Sequence, residues 1–217
     1  MFLAFDESER RSKNIFGGVL LPEQELPDLE KDWTALRIKH KLFAEIKWDS
    51  IDQYYKRYCD FVDLFFNKKS ITFHSICYRR IKQKYNAAYV LIRTITWKIQ
   101  NAGLNEPLFI LFDNDGSIGE KETLKIKKIA KADGAFKQKV EFCNQGTSHI
   151  LGALQLSDLL VGSVCSKINN ESVNKERESI VKYIEKSNKL PLDWSSERLP
   201  KLYDYKMHYF DPDRSKK

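Results

Sequence analysis

Four acidic residues lie within or directly after apolar stretches of the sequence, where a charged side chain is unexpected. Asp6 and Asp113 directly follow apolar runs, Glu45 interrupts one, and Asp158 lies among leucines in the segment 154–161. Taking an unpaired carboxylate out of water costs several kcal/mol or more, so each of these side chains needs a partner. The residue types and positions therefore predict a chemical role for at least some of them.

Three of the four acids also have a structural explanation. Asp6 could cap a neighbouring element, and Glu45 could pair with Lys47. Asp113 opens an Asp-Asn-Asp-Gly sequence that is typical of turns, and Asp115 is expected to be a turn residue rather than a ligand. Asp158 has no such explanation, because no basic residue lies near it in the sequence. Four such acids in one domain favour a shared cation site.

A cluster of carboxylates predicts magnesium or manganese, which prefer hard oxygen ligands. Two-metal sites hold their ions roughly 3.5–4 Å apart and bind both oxygens of a phosphoryl displacement. The sequence contains no paired cysteines and no histidine pair with metal-ligand spacing. His149 opens a predicted helix, where a structural role is expected, and it remains a weaker candidate for a proton carrier.

The segment around Asp158 is predicted to be a helix with one functional face. Gln155 and Asp158 are three residues apart and share that face. Gly162 lies on it as well, and its missing side chain would let another element approach closely.

The order of apolar patterns predicts an α/β fold, with a mixed central sheet flanked by helices. Strands are expected near 2–5, 15–21, 42–48, 71–78, 107–112, 139–143 and 205–210. Helices are expected near 49–66, 87–99, 121–132, 148–168 and 178–186, with Asp49 and Ser50 as a cap for the first. We expect a single domain over 1–217, with a core of about 1–168 and an accessory region of about 169–217.

Composition indicates a soluble globular protein, and its basic charge is compatible either with a polyanion partner or with a soluble protein that is simply basic. The chain has 37 basic and 30 acidic residues, for a formal net charge of +7, and such a surface favours phosphate partners. No stretch is typical of a signal peptide or a membrane span, so we expect a cytoplasmic protein without membrane contact. The cysteines are widely separated and are expected to be free thiols, buried where they lie in apolar elements: Cys59, Cys77, Cys143 and Cys165.

Three short motifs in this order resemble a known family. Phe5-Asp6-Glu7-Ser8, Glu45-Ile46-Lys47-Trp48 and Leu154-Gln155-Leu156-Ser157-Asp158-Leu159-Leu160 resemble the uncharacterised "DUF thirty-eight-hundred" family, which is grouped with RNase H-like proteins. The similarity extends over residues 2–168. It implies an RNase H-like fold and a metal-dependent nuclease, a hydrolase of DNA or RNA. The metal-binding acids that it implies are Asp6, Glu45, Asp113 and Asp158, with Lys47 and Gln155 beside them as further catalytic residues.

The chain departs from that pattern at two places. Glu9 replaces the glycine of the first motif, and the fourth predicted strand, 71–78, does not end in the expected acid. We therefore assign that role to Asp113 on the next strand. Glu7 is a weaker candidate, because adjacent residues of a strand point to opposite faces and Asp6 is preferred. Lys47 shares a face with Glu45 if both are extended, and it could contact a phosphate or pair with an acid.

Two basic segments are candidates for substrate binding. Arg79, Arg80, Lys82 and Lys84 alternate with Tyr78 and Tyr85, a composition suited to phosphate contact and base stacking. A second basic stretch is more typical of a solvated helix face: Lys121, Lys125, Lys127, Lys128, Lys131 and Lys137.

Two other functions are compatible with the sequence. The run 109–116 resembles the nucleophile motif of haloacid dehalogenase-like phosphatases, which would use Asp113 and Asp115 and leave Asp6 and Glu45 unexplained. Alternatively, the chain could be a catalytically silent module that binds nucleic acid or a protein, such as a subunit of a defence system or a homo-oligomer.

Overall fold

The chain folds as an α/β structure in which helices flank both faces of a six-stranded mixed sheet. A computed structural model describes residues 1–8, 14–78, 84–104, 106–113, 119–133, 140–146, 151–170, 173–189, 191–192 and 207–210. The predicted fold class, a mixed sheet between helices, is confirmed at this level.

The sheet has its first strand near the centre. The strands are β1 (Phe2–Ser8), β2 (Asn14–Leu21), β3 (Thr72–Tyr78), β4 (Leu108–Asp113), β5 (Val140–Gly146) and β6 (Met207–Phe210). Their order across the sheet is β5-β4-β1-β2-β3-β6. β1 pairs antiparallel with β2, and β2 pairs antiparallel with β3. β1 pairs parallel with β4, and β4 with β5, so the carboxyl ends of these three strands lie at one edge of the sheet.

Helices form one layer on each face of the sheet. They are α1 (Leu26–His40), α2 (Lys56–Asn67), α3 (Lys84–Asn101), α4 (Glu120–Asp133), α5 (Gly152–Asn169) and α6 (Lys175–Asn188). Apolar side chains of α1, α2, α5 and α6 pack in one core, and those of α3 and α4 pack in the other. We call these the α5 layer and the α3 layer.

The continuous apolar sequence of β1 follows from burial on both faces. Phe2 and Ala4 lie in the core of the α5 layer, whereas Leu3 and Phe5 lie in that of the α3 layer. A strand that is covered on both sides has no polar face, so its sequence does not alternate. By the same alternation, Asp6 lies on the α5 side and Glu7 on the α3 side.

The segment between β2 and α2 differs from its prediction. Residues 42–47 do not form a strand, and they lead into a short 3-10 helix over Trp48–Ser50. The predicted cap at Asp49 and Ser50 is therefore wrong, because the next helix begins at Lys56. The sequence interpretation also missed α1, which fully buries only Leu29 and Trp33 and leaves its other apolar residues partly or largely exposed.

The remaining elements follow the predicted order closely. α6 contributes Ile180, Val181 and Ile184 to the core of the α5 layer, so it packs with the main body of the fold. Cys59, Cys77 and Cys165 are buried free thiols, as predicted, and the side chain of Cys143 lies outside the described residues. Within the described ranges, no helix has both the length and the apolar composition to cross a membrane.

Candidate functional site

Two acids lie side by side at the carboxyl edge of the central strands. Phe5 of β1 is paired with Phe112 of β4, and the next residue of each strand is an aspartate, Asp6 and Asp113. Alternation along both strands directs the two carboxyls to the α5 layer. Because the segment 42–48 is not a strand, β4 is the fourth strand of the chain. Asp113 is therefore the last residue of the fourth strand among the residues that the structure describes.

Helix α5 is hydrogen-bonded to the sheet and packs closely on it next to these acids. The hydroxyl of Ser157 donates to Ala4 O at 2.9 Å and accepts from the amide N–H of Val19 at 3.2 Å. A side chain at Gly17, which pairs with Asp6 across the sheet, would collide with Val161 of the helix. These contacts bring α5 close to β1, and Asp158 follows Ser157 directly.

The start of α5 is held by an acid that the sequence interpretation did not select. The carboxylate of Glu30 accepts the amide N–H of Gly152 at 2.7 Å and that of Ala153 at 3.0 Å. Amide groups in the first turn of a helix have no partner within the helix, and a carboxylate there also suits the helix dipole. Glu30 thus fixes the end of the helix that carries Asp158.

Asp6 and Asp158 share a hydrogen bond, and Asp113 is close enough to act on Asp6 electrostatically. Burial, together with the nearby charges of Asp158 and Asp113, raises the pKa of Asp6 well above its ordinary value. Burial also raises the pKa of Asp158 to about 6, although its hydrogen bonds oppose the change. Like charges that are buried together favour the protonated form, so the pair retains a proton to higher pH than isolated aspartates would.

The loop that carries Glu45 is held against α5 through its backbone. Gln155 Oε1 accepts the amide N–H of Ile46 at 3.1 Å and the indole N–H of Trp33 at 3.3 Å. Asp158 Oδ2 accepts the amide N–H of Trp48 at 2.6 Å. The shared helix face of Gln155 and Asp158 is therefore confirmed, and it binds alternate amides of the loop 45–48.

Gly162 permits this close approach, as the sequence predicted. A side chain there would collide with the indole of Trp48. Trp48 is itself buried, so its ring closes the space between the loop and α5.

Glu45 and Lys47 form an ion pair on the loop that Gln155 and Asp158 bind. Lys47 Nζ lies 3.0 Å from Glu45 Oε2, and the side chains are 40% and 7% exposed, respectively. The positive charge of Lys47 is among the influences that lower the pKa of Asp158, and Asp49 acts in the opposite direction. The pairing alternative for Glu45 is therefore confirmed. The extended strand that was expected to align the two residues is absent, and the ion pair forms from a loop instead.

The chemistry of these side chains suits a hard cation. Their donors are carboxylate oxygens, which magnesium and manganese prefer. Asp113 Oδ1 is buried and accepts no hydrogen bond from the part of the chain that the structure describes. Among those same residues, no three acidic, histidine or cysteine side chains are already arranged as a metal-binding group. The donor types fit a divalent ion, whereas a complete ligand set is not preformed.

Several predicted site residues lie outside the described ranges. These are Arg79, Arg80, Lys82, Asp115 and His149. Lys84 is the first residue of α3, and its side chain is not described. Glu7 lies on the opposite side of β1 from Asp6, so the preference for Asp6 agrees with the strand geometry.

The buried acid pair predicts an unusual dependence of stability on pH. Without a bound cation, the folded state holds protons at Asp158 up to about pH 6, whereas an aspartate in the unfolded chain loses its proton near its ordinary pKa of 3.8. The folded state therefore binds more protons in this window, and stability must fall as the pH rises through it. Because the pKa of Asp6 is also raised, the stability should continue to fall as the pH rises further.

We expect the free energy of unfolding to fall by on the order of 3 kcal/mol between about pH 4 and pH 7 in chelator. Urea unfolding at a series of pH values measures it. Asp6→Asn removes one buried charge and should flatten the profile. Equal slopes for both proteins would contradict the coupling of Asp6 and Asp158.

Comparison with known proteins gives no further guide to the site. The chain matches no family model, and no curated protein matches it.

Proposed function

We propose that this chain is a magnesium- or manganese-dependent nuclease that hydrolyses phosphodiester bonds of DNA or RNA. One observation carries the proposal: Asp6, Asp113 and Asp158 converge at the carboxyl edge of the central strands, and two of them share a hydrogen bond. Buried acids in contact are unfavourable unless protons or cations neutralise them. A divalent ion bound between the acids would neutralise this repulsion, and cation binding would explain why the acids lie so close together.

The architecture supports the more specific proposal of an RNase H-like fold. The mixed sheet, with antiparallel β1, β2 and β3 and parallel β1, β4 and β5, is compatible with it. The acids stand on β1, β4 and α5. The motifs that carry the resemblance supply Asp6 on β1, Glu45 on the loop 42–48 and Asp158 on α5, in that order along the chain.

Each polar side chain of the site has a distinct proposed role. Asp6, Asp113 and Asp158 hold the cations, which when bound stabilise charge on the phosphate and lower the pKa of water. Glu45 lies on the loop that Asp158 binds, and its partner Lys47 is exposed enough to reach a substrate phosphate. Gln155 is a positioning residue, because its carbonyl oxygen fixes the loop that carries both.

The contact between Asp6 and Asp158 also favours a nuclease over a phosphatase of the haloacid dehalogenase type. A phosphatase built on Asp113 and Asp115 assigns no role to either member of this pair. The lysines of α4 lie in the α3 layer, on the other side of the sheet from the acids. They are therefore less suited to contact the reacting phosphate than Lys47 is.

The test is incubation of the purified chain with labelled single- and double-stranded DNA and RNA, in manganese and in chelator. We expect at least one of these substrates to be cut in manganese and none in chelator. A silent binding module would bind in both conditions and cut in neither. That outcome, with folding verified by circular dichroism, would contradict the proposed activity.

A further inference from the structure

An exposed aromatic ring stands on the loop whose later residues bind Gln155 and Asp158 through their backbone amides. Phe43 is 76% exposed and lies two residues before Glu45. The guanidinium of Arg37 donates to three successive backbone carbonyls around it: Leu42 O at 3.0 Å, Phe43 O at 2.6 Å and Ala44 O at 3.3 Å. Single exposed apolar residues are ordinary, but few are held in place by such a clamp.

A second exposed ring is connected to the same loop. Tyr54 is 59% exposed, and the guanidinium carbon of Arg57 lies 4.8 Å from the centre of its ring. Arg57 also donates to His40 O at 3.4 Å, one residue before the left-handed Lys41 that ends α1. Tyr54, Arg57, Lys41 and Phe43 thus belong to one connected surface, which we call the aromatic platform.

The charges around the aromatic platform favour a polyanion. Lys41 is exposed within it and carries its net positive charge, because Arg57 is paired with Asp52 and Lys47, farther along the loop, is paired with Glu45. Aromatic rings set among basic groups bind single-stranded nucleic acid, because every base has a face that can stack and phosphates follow the positive charge. Bases inside a duplex are already stacked on each other and cannot use such a ring.

We infer that the aromatic platform binds single-stranded nucleic acid by stacking a base on Phe43, which directs the adjoining phosphate to the acid site. This inference rests on the proposed function, and it specifies the substrate as a strand with unpaired bases. Arg37 holds the backbone on both sides of Phe43, so the point from which the ring projects is set before the substrate arrives, which reduces the backbone entropy lost on binding.

The test compares binding of labelled oligothymidylate with binding of an abasic oligonucleotide that has the same phosphates and no bases. Binding is measured in chelator and, in the Asp158→Asn variant, with manganese. Phe43→Ala should weaken binding of oligothymidylate about tenfold and leave the abasic strand unaffected, whereas Phe43→Tyr keeps the ring and the affinity. Trp97→Ala is the matched control, because Trp97 is an aromatic residue that is 56% exposed on α3, in the other layer.

Each alternative outcome overturns the inference in a recognisable way. An equal loss of affinity for both strands would mean that Phe43 maintains the loop structure and does not stack on a base. Unchanged affinity for both strands would mean that Phe43 does not contact the substrate. A change in oligomeric state on size exclusion would show that the ring covers a second copy of the chain. In these cases metal-dependent cleavage by the unaltered protein would leave the nuclease proposal standing. If the unaltered protein in chelator and Asp158→Asn in manganese both bind neither strand, the inference fails, and cleavage of double-stranded substrates then decides the nuclease proposal separately.

Discussion

Asp158→Asn is expected to lower cleavage at least about a hundredfold while leaving the protein folded. A lost cation ligand removes several kcal/mol of charge stabilisation from the reaction, and each tenfold change in rate corresponds to about 1.4 kcal/mol. The amide oxygen of asparagine can still accept the amide N–H of Trp48, so the loop 45–48 should remain in place. Single-turnover cleavage of the best substrate in manganese measures the effect.

The same variant should be at least as stable as the unaltered protein in chelator. Burial, and to a smaller extent the charge of Asp49, disfavour ionised Asp158, and the substitution removes that charge. A functional carboxylate is expected to show this conflict between stability and activity. Asp28→Asn is the matched control, because it makes the same substitution at an exposed position of α1. Near-normal cleavage by Asp158→Asn would mean that Asp158 is not a ligand of the catalytic cation.

Manganese should raise the melting temperature by on the order of 5 °C at concentrations well above its dissociation constant. A cation that binds only the folded state stabilises it by mass action, and about 100-fold excess over that constant gives about 2.7 kcal/mol. Asp6→Asn and Asp113→Asn should each reduce the shift, because each removes one anionic oxygen ligand from the same cluster. Differential scanning fluorimetry with manganese and with chelator measures it.

The control for this second experiment is Glu178→Gln, which removes a charge from an exposed pair with Lys182 on α6. Manganese should raise the melting temperature of Glu178→Gln by as much as it raises that of the unaltered protein. A melting temperature that does not respond to manganese in the unaltered protein would mean that the three aspartates do not bind the ion.

The sequence predicted that Asp6, Glu45, Asp113 and Asp158 converge, and strand pattern constrains two of these acids, Asp6 and Asp113. An acid directly after a doubly buried strand must lie at its carboxyl end, and parallel strands bring such ends together. Asp158 was recognisable because an acid among leucines on a helix cannot avoid a buried surface. These inferences need only local periodicity and the order of the elements.

The loop 42–48 could not be predicted in the same way. Its alternating apolar residues are typical of a strand, but its conformation depends on contacts with residues that are distant in sequence. Gln155 and Asp158 bind amides of the loop more than a hundred positions away, and Arg37 binds its carbonyls. Glu30, which caps α5, was missed for the same reason, because nothing near it in the sequence indicates its partners.

The most direct test of the central claim is to remove the metal from a single preparation, add it back, and measure cleavage in each state. The purified chain, freed of metal and supplied with a labelled single strand, should be inactive in chelator and recover cleavage when excess manganese is added. An Asp6→Asn preparation made in parallel should stay inactive throughout, which excludes a contaminating nuclease. Cleavage that persists in chelator, or equal recovery in the Asp6→Asn preparation, would contradict a cation site built on Asp6, Asp113 and Asp158.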